Sequence, residues 1–348
     1  MKADKEILIN QMPGLYAVGT ILLEGEKYYA AASENREGKV FLINAVTKKV
    51  SEIQGGRGGV MAVLEANGEN AMLCIEEFYP VFDSATAKIV KVFLKRNGAD
   101  WVTGKRTVVA EVPYVHRIAQ LKEADGIFIA AGKLCQYKEF SDDWSTAGSM
   151  EIGRYDSELG VRHFERVQGE IHKHHAMFVK KNAEGYDDLY YGGSEGAFST
   201  IRINGKWETK KLLSVSISDL VCFDLDGDGR DEIAVIEEFH GDKAVIFKDN
   251  GNGYERMIEM PLNFGHVLWG GMFLERPGLI TGSRSGEKKL ILYRFSCTRE
   301  RGVFISSETV IDEGQAPAQI IVSESGKEAD IVAANHGAAQ LMRYRCCL

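Results

Sequence analysis

The chain reads as an all-β protein, a seven-bladed β-propeller of four-stranded blades whose last blade is completed by the N-terminal strand. Three observations predict this. A recognisable unit recurs at spacings of roughly 45 to 60 residues; each copy splits into short apolar runs separated by turn residues; and helical periodicity is almost absent.

The clearest unit is marked by DLDGDGRDEIAV, residues 224–235. Asp224, Asp226 and Asp228 alternate along a turn that Glu232 closes, and the Arg230 carbonyl stands at the seventh position, a set of hard oxygen ligands suited to Ca2+. Gly227 and Gly229 supply the backbone freedom the loop needs. Cys222-Phe223 and Ile233-Ala234-Val235 flank it as strands, which excludes the helix–loop–helix form of such a site. The expected ion is a structural one. An ion-free acidic hairpin is the alternative.

Residues 175–212 align beneath 219–258 strand for strand and turn for turn. The alignment sets Lys180 under Asp224, Glu184 under Asp228 and Asp188 under Glu232, so the earlier loop is expected to hold no ion. The pattern continues at 266–295 and 318–346 and, upstream, at 15–43, 60–84 and 116–137. Blades are therefore expected over 14–55, 59–112, 115–170, 174–214, 218–260, 265–312 and 317–346. The last unit has only three strands, and KEILINQ (5–11) is unassigned. Placing that segment in the seventh blade closes the ring and removes exposed sheet edges. A solenoid would need capping repeats and leaves the N-terminal strand without a role.

Composition narrows the function classes. Apolar residues make up 45 % of the chain, and no apolar run is long enough to span a bilayer, so no membrane partner is expected. The N-terminus MKADKEILINQMPG carries charges where a secretory apolar region would lie, and the six cysteines are scattered without metal-type pairs. Both favour a cytoplasmic protein. The net charge of −8 is spread without a basic block, which argues against nucleic acid. No Gly-x-Ser-x-Gly elbow, phosphate loop or dinucleotide fingerprint occurs, which disfavours acyl transfer, kinase and nicotinamide chemistry.

The acidic loop and the blade pattern resemble the FG-GAP and VCBS repeat propellers, and FGHVLWGGMF (264–273) with ITGSR (280–284) is similar to the propeller part of aldos-2-ulose dehydratases. That resemblance implies a metal-containing enzyme acting on keto-sugars. The chain lacks the additional cupin-like domains of the fungal enzymes.

In a propeller, the start of each innermost strand and the connection between the second and third strands meet on one face around the channel, opposite the acidic loop. The first set reads Gly14, Gly59, His116, His175, Asp219, His266 and Pro317. His116, His175 and His266, joined by Asp219, would suit a borderline divalent metal such as Zn2+, Mn2+ or Ni2+. Histidines that only hydrogen-bond neighbouring backbone are the alternative.

The second set supplies Glu34, Glu77, Lys133, Glu195, Glu238, His240, Arg284 and His336, a polar funnel. In it Glu34, Glu77, Glu195, Glu238 and His336 are candidate substrate-binding groups. His240, Lys133 and Tyr79 are candidate bases, and Arg284 would neutralise a carboxylate or enolate. Phe78, Tyr79, Tyr137, Trp144 and Phe239 lie in or near the same loops, where rings stack on sugars or pack structurally.

The expected function is metal-assisted proton abstraction and β-elimination on a small oxidised sugar, a keto- or uronic-acid lyase or dehydratase. The alternatives are a non-catalytic propeller that binds a glycan or protein and keeps only structural calcium, and a glycosidase working with two of Glu77, Glu195 and Glu238.

Overall fold

The computed structural model describes residues 1–53, 58–298 and 302–348; the expected end of the first blade at residue 55 lies outside them. Seven antiparallel four-stranded sheets form the ring. Their innermost strands are Leu15–Leu23, Ala62–Glu65, Val115–Glu123, Ala176–Lys181, Asp219–Phe223, Gly265–Phe273 and Pro317–Ser325.

Six sheets are consecutive in the chain, and the seventh takes Lys2–Ile9 as its outer strand against Gln340–Cys347. The pairing runs from Lys2 opposite Cys347 to Ile9 opposite Leu341. Lys5 fastens this strand to the sixth blade through Asp312, 2.6 Å away, and the Tyr344 hydroxyl donates to the same carboxylate at 2.9 Å. Ring closure is also direct at the channel, where Gln319 Oε1 accepts from the Val18 backbone N–H at 3.3 Å.

The second strands are apolar on both faces because each is covered by a neighbouring blade. Ala30, Ala31 and Ala32 in the first blade, Ala130 and Ala131 in the third, and Ala333 and Ala334 in the seventh are all buried. Small side chains at these positions let the sheets approach, while Trp101, Tyr293 and Tyr344, on third and fourth strands, fill the wider outer spaces. Continuous burial of apolar surface between blades is what a single blade cannot achieve alone.

Six inner strands are preceded by a residue in the left-handed region: Gly14, Gly59, Tyr114, Lys173, Phe264 and Ala316, with φ between 51° and 69°. The kink turns the following side chains toward the axis. At Gly59 it also brings the backbone so close that a Cβ would lie 2.2 Å from the Phe78 carbonyl oxygen, which explains glycine there.

Candidate functional site

Two residues beyond each kink lie Tyr16, Met61, His116, His175, His266 and Ala318, every one at most 3 % exposed. The fifth blade contributes Ser218, also buried, because Ser218 N–H donates to the Ile236 carbonyl just as His175 N–H donates to Gly192 and Met61 N–H to Ile75. These seven form one layer around the axis. The expected layer differs at four places: Tyr16, Met61 and Ala318 replace Gly14, Gly59 and Pro317, and Ser218 replaces Asp219. A β-bulge marks the layer position in blades one, three, six and seven; in blade five Asp219 pairs with Ile236 as Ala176 pairs with Gly192 in blade four, so Ser218 and not Asp219 is the counterpart of His175.

The layer shows a hydrogen-bonding rule. His175 Nδ1 pairs with the Ser218 carbonyl at 2.7 Å and His266 Nδ1 with the Ala318 carbonyl at 2.8 Å, each in the next blade. A carbonyl accepts only an N–H, so both rings carry their proton on Nδ1 and present an Nε2 lone pair to the channel. By the same rule His116 would donate to the His175 carbonyl. Arg117 Nε occupies that acceptor at 2.9 Å instead. Among the described residues His116 Nδ1 is left buried without a partner, and its Nε2 lies 3.5 Å from the Tyr16 hydroxyl.

His240 fills the gap. It stands in the connection between the second and third strands of blade five, with φ 52°, and its ring stacks on His266 at 4.9 Å and on Phe264 at 4.6 Å. His175, His240 and His266 each offer a nitrogen within 4.8 Å of the others, and His240 Nδ1 is buried without a partner among the described residues. The donor set, all imidazole, suits zinc or nickel better than manganese, which prefers oxygen ligands. Its free lone pairs, carbonyl-oriented rings and orphaned buried nitrogen fit such an ion. His116 stays outside the trio, with its ring 4.6 Å from that of His175. Asp219 lies one residue below the layer, beside Arg117 and Gln319, where burial pushes its carboxyl up to about 7.

Burial and the Arg117 charge hold His175 and His116 well below the ordinary imidazole range, and burial with the neighbouring His240 and Arg284 does the same for His266. His240 is pushed down to about 4, mainly by burial and then by Arg284. The rings are therefore neutral near pH 7, the form that binds metals.

Above them is a cavity of about 460 Å³. Its walls include Tyr16, His116 and the trio, with Val81, Phe82 and Phe264 as the apolar side and Arg284, Ser285 and Glu34 as the polar side. Glu34 accepts from His336 Nε2 at 2.9 Å. Among the described residues Arg284 and Lys173 have no carboxylate partner.

Other expected site residues lie elsewhere. Lys133 is directed to Gln136 at 3.3 Å and Glu151 at 3.9 Å, and Tyr79 is 44 % exposed on the rim. Glu77 pairs with Lys88 at 3.0 Å. Glu195 binds the His172 backbone N–H and ring, both at 2.7 Å, and Glu238 is exposed. None of these five lines the cavity. Tyr16 was missed by sequence reasoning; the signal for it was Gly14-Leu15-Tyr16 standing in the register of Phe264-Gly265-His266.

At the opposite face, Asp224, Asp226 and Glu232 bring oxygens within 4.8 Å of one another. Lys248 Nζ sits among them, 2.5 Å from Asp226, 2.8 Å from Asp228 and 3.1 Å from Glu232. Asp224 instead accepts from the Gly227 and Gly229 backbone N–H groups, and the Arg230 side chain turns to Asp228 at 3.3 Å. Lys180 of the preceding blade reaches the same loop through an ion pair with Asp231.

No protein-family model matches the sequence, and no curated protein does. Among solved structures the chain is similar to the soluble aldose sugar dehydrogenase from Escherichia coli in its apo-form, at 12 % identity over 99 % of each chain, with a TM-score of 0.51. It is likewise similar to Saccharomyces cerevisiae Sqt1, at 10 % identity over 100 % of this chain and 98 % of that one, with a TM-score of 0.53. At such identities the likeness is one of fold alone.

Proposed function

We propose that the chain is a carbohydrate-active lyase or dehydratase that removes a proton and a β-substituent from a small oxidised sugar at the channel mouth. The observation that carries this reading is the convergence of His175, His240 and His266, neutral and close together, in the floor of a cavity whose wall carries the Arg284 cation. The E. coli neighbour, named for an aldose sugar, adds only that this fold serves sugar chemistry elsewhere.

A divalent ion of the zinc, manganese or nickel class held by the three histidines would polarise a carbonyl or carboxylate oxygen and acidify the adjoining C–H. The remaining work falls to the chain. Arg284 binds the sugar carboxylate, a charge-assisted contact strengthened by the apolar wall of Phe82 and Phe264. Glu34, held by His336, accepts from a hydroxyl and fixes the ring orientation. Tyr16 and His116 line the same cavity beside the trio, and the Tyr16 oxygen takes the substrate proton as its own proton passes to His116 Nε2. The proton leaves the carbon next to the carbonyl or carboxylate, the electron pair forms the new C=C bond, and the β-oxygen departs as hydroxide or alkoxide and is protonated by water.

The test combines elemental analysis with a screen of keto- and uronic-acid sugars, read as ultraviolet absorbance of unsaturated products. We expect one divalent ion per chain that is lost in His175→Ala and His266→Ala, together with product formation. Ligand binding without turnover by the loaded protein would replace this reading with a glycan-binding propeller. Under that outcome His175→Ala weakens binding and removes no reaction.

A further inference from the structure

The rim above the cavity is lopsided. The connections between second and third strands cover 77–87 in blade two and 134–147 in blade three, but only 194–195 in blade four, 238–242 in blade five and 336–339 in blade seven. The two long ones are neighbours and raise a wall on one side of the funnel. A run of aromatic rings leads from the histidines to that wall: His240 to Phe239 at 4.2 Å, Phe239 to Trp144 at 5.9 Å, and Trp144 to Phe82 at 5.7 Å.

Lys173 Nζ stands 5.2 Å from the Phe239 ring and 5.6 Å from the Trp144 ring, and among the described residues it has no acidic partner. Its backbone is fixed, because Glu195 grips the preceding residue, His172, by both its backbone and its ring. Trp144 is fixed too, since the buried Lys138 ammonium lies 3.3 Å from its ring centre and donates to the Ser141 carbonyl at 2.7 Å. Farther out on the same connection, Tyr137 is 50 % and Phe140 62 % exposed.

We infer that the substrate is an acidic oligosaccharide whose end sugar enters the histidine cavity while the following sugars lie along Phe239 and Trp144, with Lys173 meeting the second carboxylate. This rests on the reading of the channel mouth given above and names its substrate class. Three features point to a chain rather than one sugar. Flat rings, Phe239 and Trp144, continue past the lining of the cavity. An unpaired cation accompanies the rings outside the cavity as Arg284 does within it, on a protein whose net charge is −8. The rings and the lysine are also held in place before any ligand arrives, which lowers the cost of ordering them.

The test uses galacturonate, glucuronate and mannuronate, each as monomer and as oligomers of two to four units. Binding is read by titration calorimetry and by quenching of tryptophan fluorescence. At least one series should gain about tenfold or more in affinity between monomer and trimer, a step of about 1.4 kcal/mol. Trp144→Ala should bring the trimer-to-monomer ratio close to one, and Trp144→Phe should retain it. Lys173→Gln should flatten the salt dependence of trimer binding only. Equal affinity for monomer and trimer in every series overturns the inference, as does a ratio unmoved by Trp144→Ala in a folded variant. The two readings fail separately. Product from monomers with no length dependence removes this inference alone, and length-dependent binding without product removes the lyase reading alone.

Discussion

Lys248→Met is the most informative single change on the face opposite the cavity, because it removes the cation that meets Asp226, Asp228 and Glu232 together and keeps most of the length of the side chain. Glu232 is 1 % exposed and Asp226 9 %, so they cannot regain water when the ammonium goes. Breaking a buried ion pair by removing one partner costs about 3–5 kcal/mol. Lys248 is itself 28 % exposed and Asp228 31 %, so solvent screening reduces this to about 2–3 kcal/mol. For a chain of 348 residues the melting temperature should fall by roughly 3–4 °C. Calcium should restore the loss in the variant, since a ligand at a hundredfold excess over its Kd contributes about 2.7 kcal/mol. The assay is differential scanning calorimetry on metal-stripped wild type and variant, each with and without millimolar calcium. The wild type should gain little, because calcium must first displace Lys248, and the variant should gain most of what it lost. A wild type stabilised as strongly as the variant would show that the lysine does not compete for the seat. A variant as stable as the wild type without calcium would show that the ion pairs contribute nothing.

Gly59→Ala should cost at least about 2 kcal/mol in a denaturant titration, since it combines a left-handed backbone with a Cβ 2.2 Å from the Phe78 oxygen; a loss under about 0.5 kcal/mol would refute the close approach. Acid should destabilise the metal-free protein. His174 is fully buried, and burial pushes its folded value down to about 4, below the unfolded value near 6.5. Its contribution is therefore complete above pH 6.5 and is lost as pH falls toward 4, with a slope of about 1.4 kcal/mol per pH unit from this group alone. Urea midpoints that stay constant from pH 7 to pH 4.5 would contradict that sign.

Much of the fold was legible because a propeller repeats its own grammar. Short apolar runs, turn residues and the marked loop at Asp224 placed every sheet, and the missing fourth strand of the last unit pointed to the N-terminal segment that forms its outer edge. The layer around the axis was less legible. It depends on whether a bulge inserts one residue beside the channel, and the apolar pattern around Leu15-Tyr16 does not differ from that around Ile217-Ser218 in any way that reveals it. Among the described residues blades one, three, six and seven carry the bulge and blades two, four and five do not. One residue of register exchanges Ser218 for Asp219 and sends the carboxylate below the layer. Lys133 and Glu77 were displaced for a different reason. Their own blades offer Glu151 and Lys88 as partners, and pairings between separate strands are invisible in a linear reading.

The trio of histidines is decided by Arg117. Each layer histidine with a free carbonyl in the next blade donates its Nδ1 proton there and points Nε2 at the axis; His175 and His266 obey this, and their lone pairs converge. Arg117 Nε takes the carbonyl that His116 would use, so His116 keeps an unpartnered Nδ1 and meets Tyr16 instead. The same guanidinium charge disfavours protonation of His116, His175 and His266. One arginine thus divides three layer histidines into two whose Nδ1 is bound to a carbonyl of the next blade and one whose Nδ1 is not. His240, arriving from a loop with its ring stacked on His266, completes the set that the strand pattern leaves short by one.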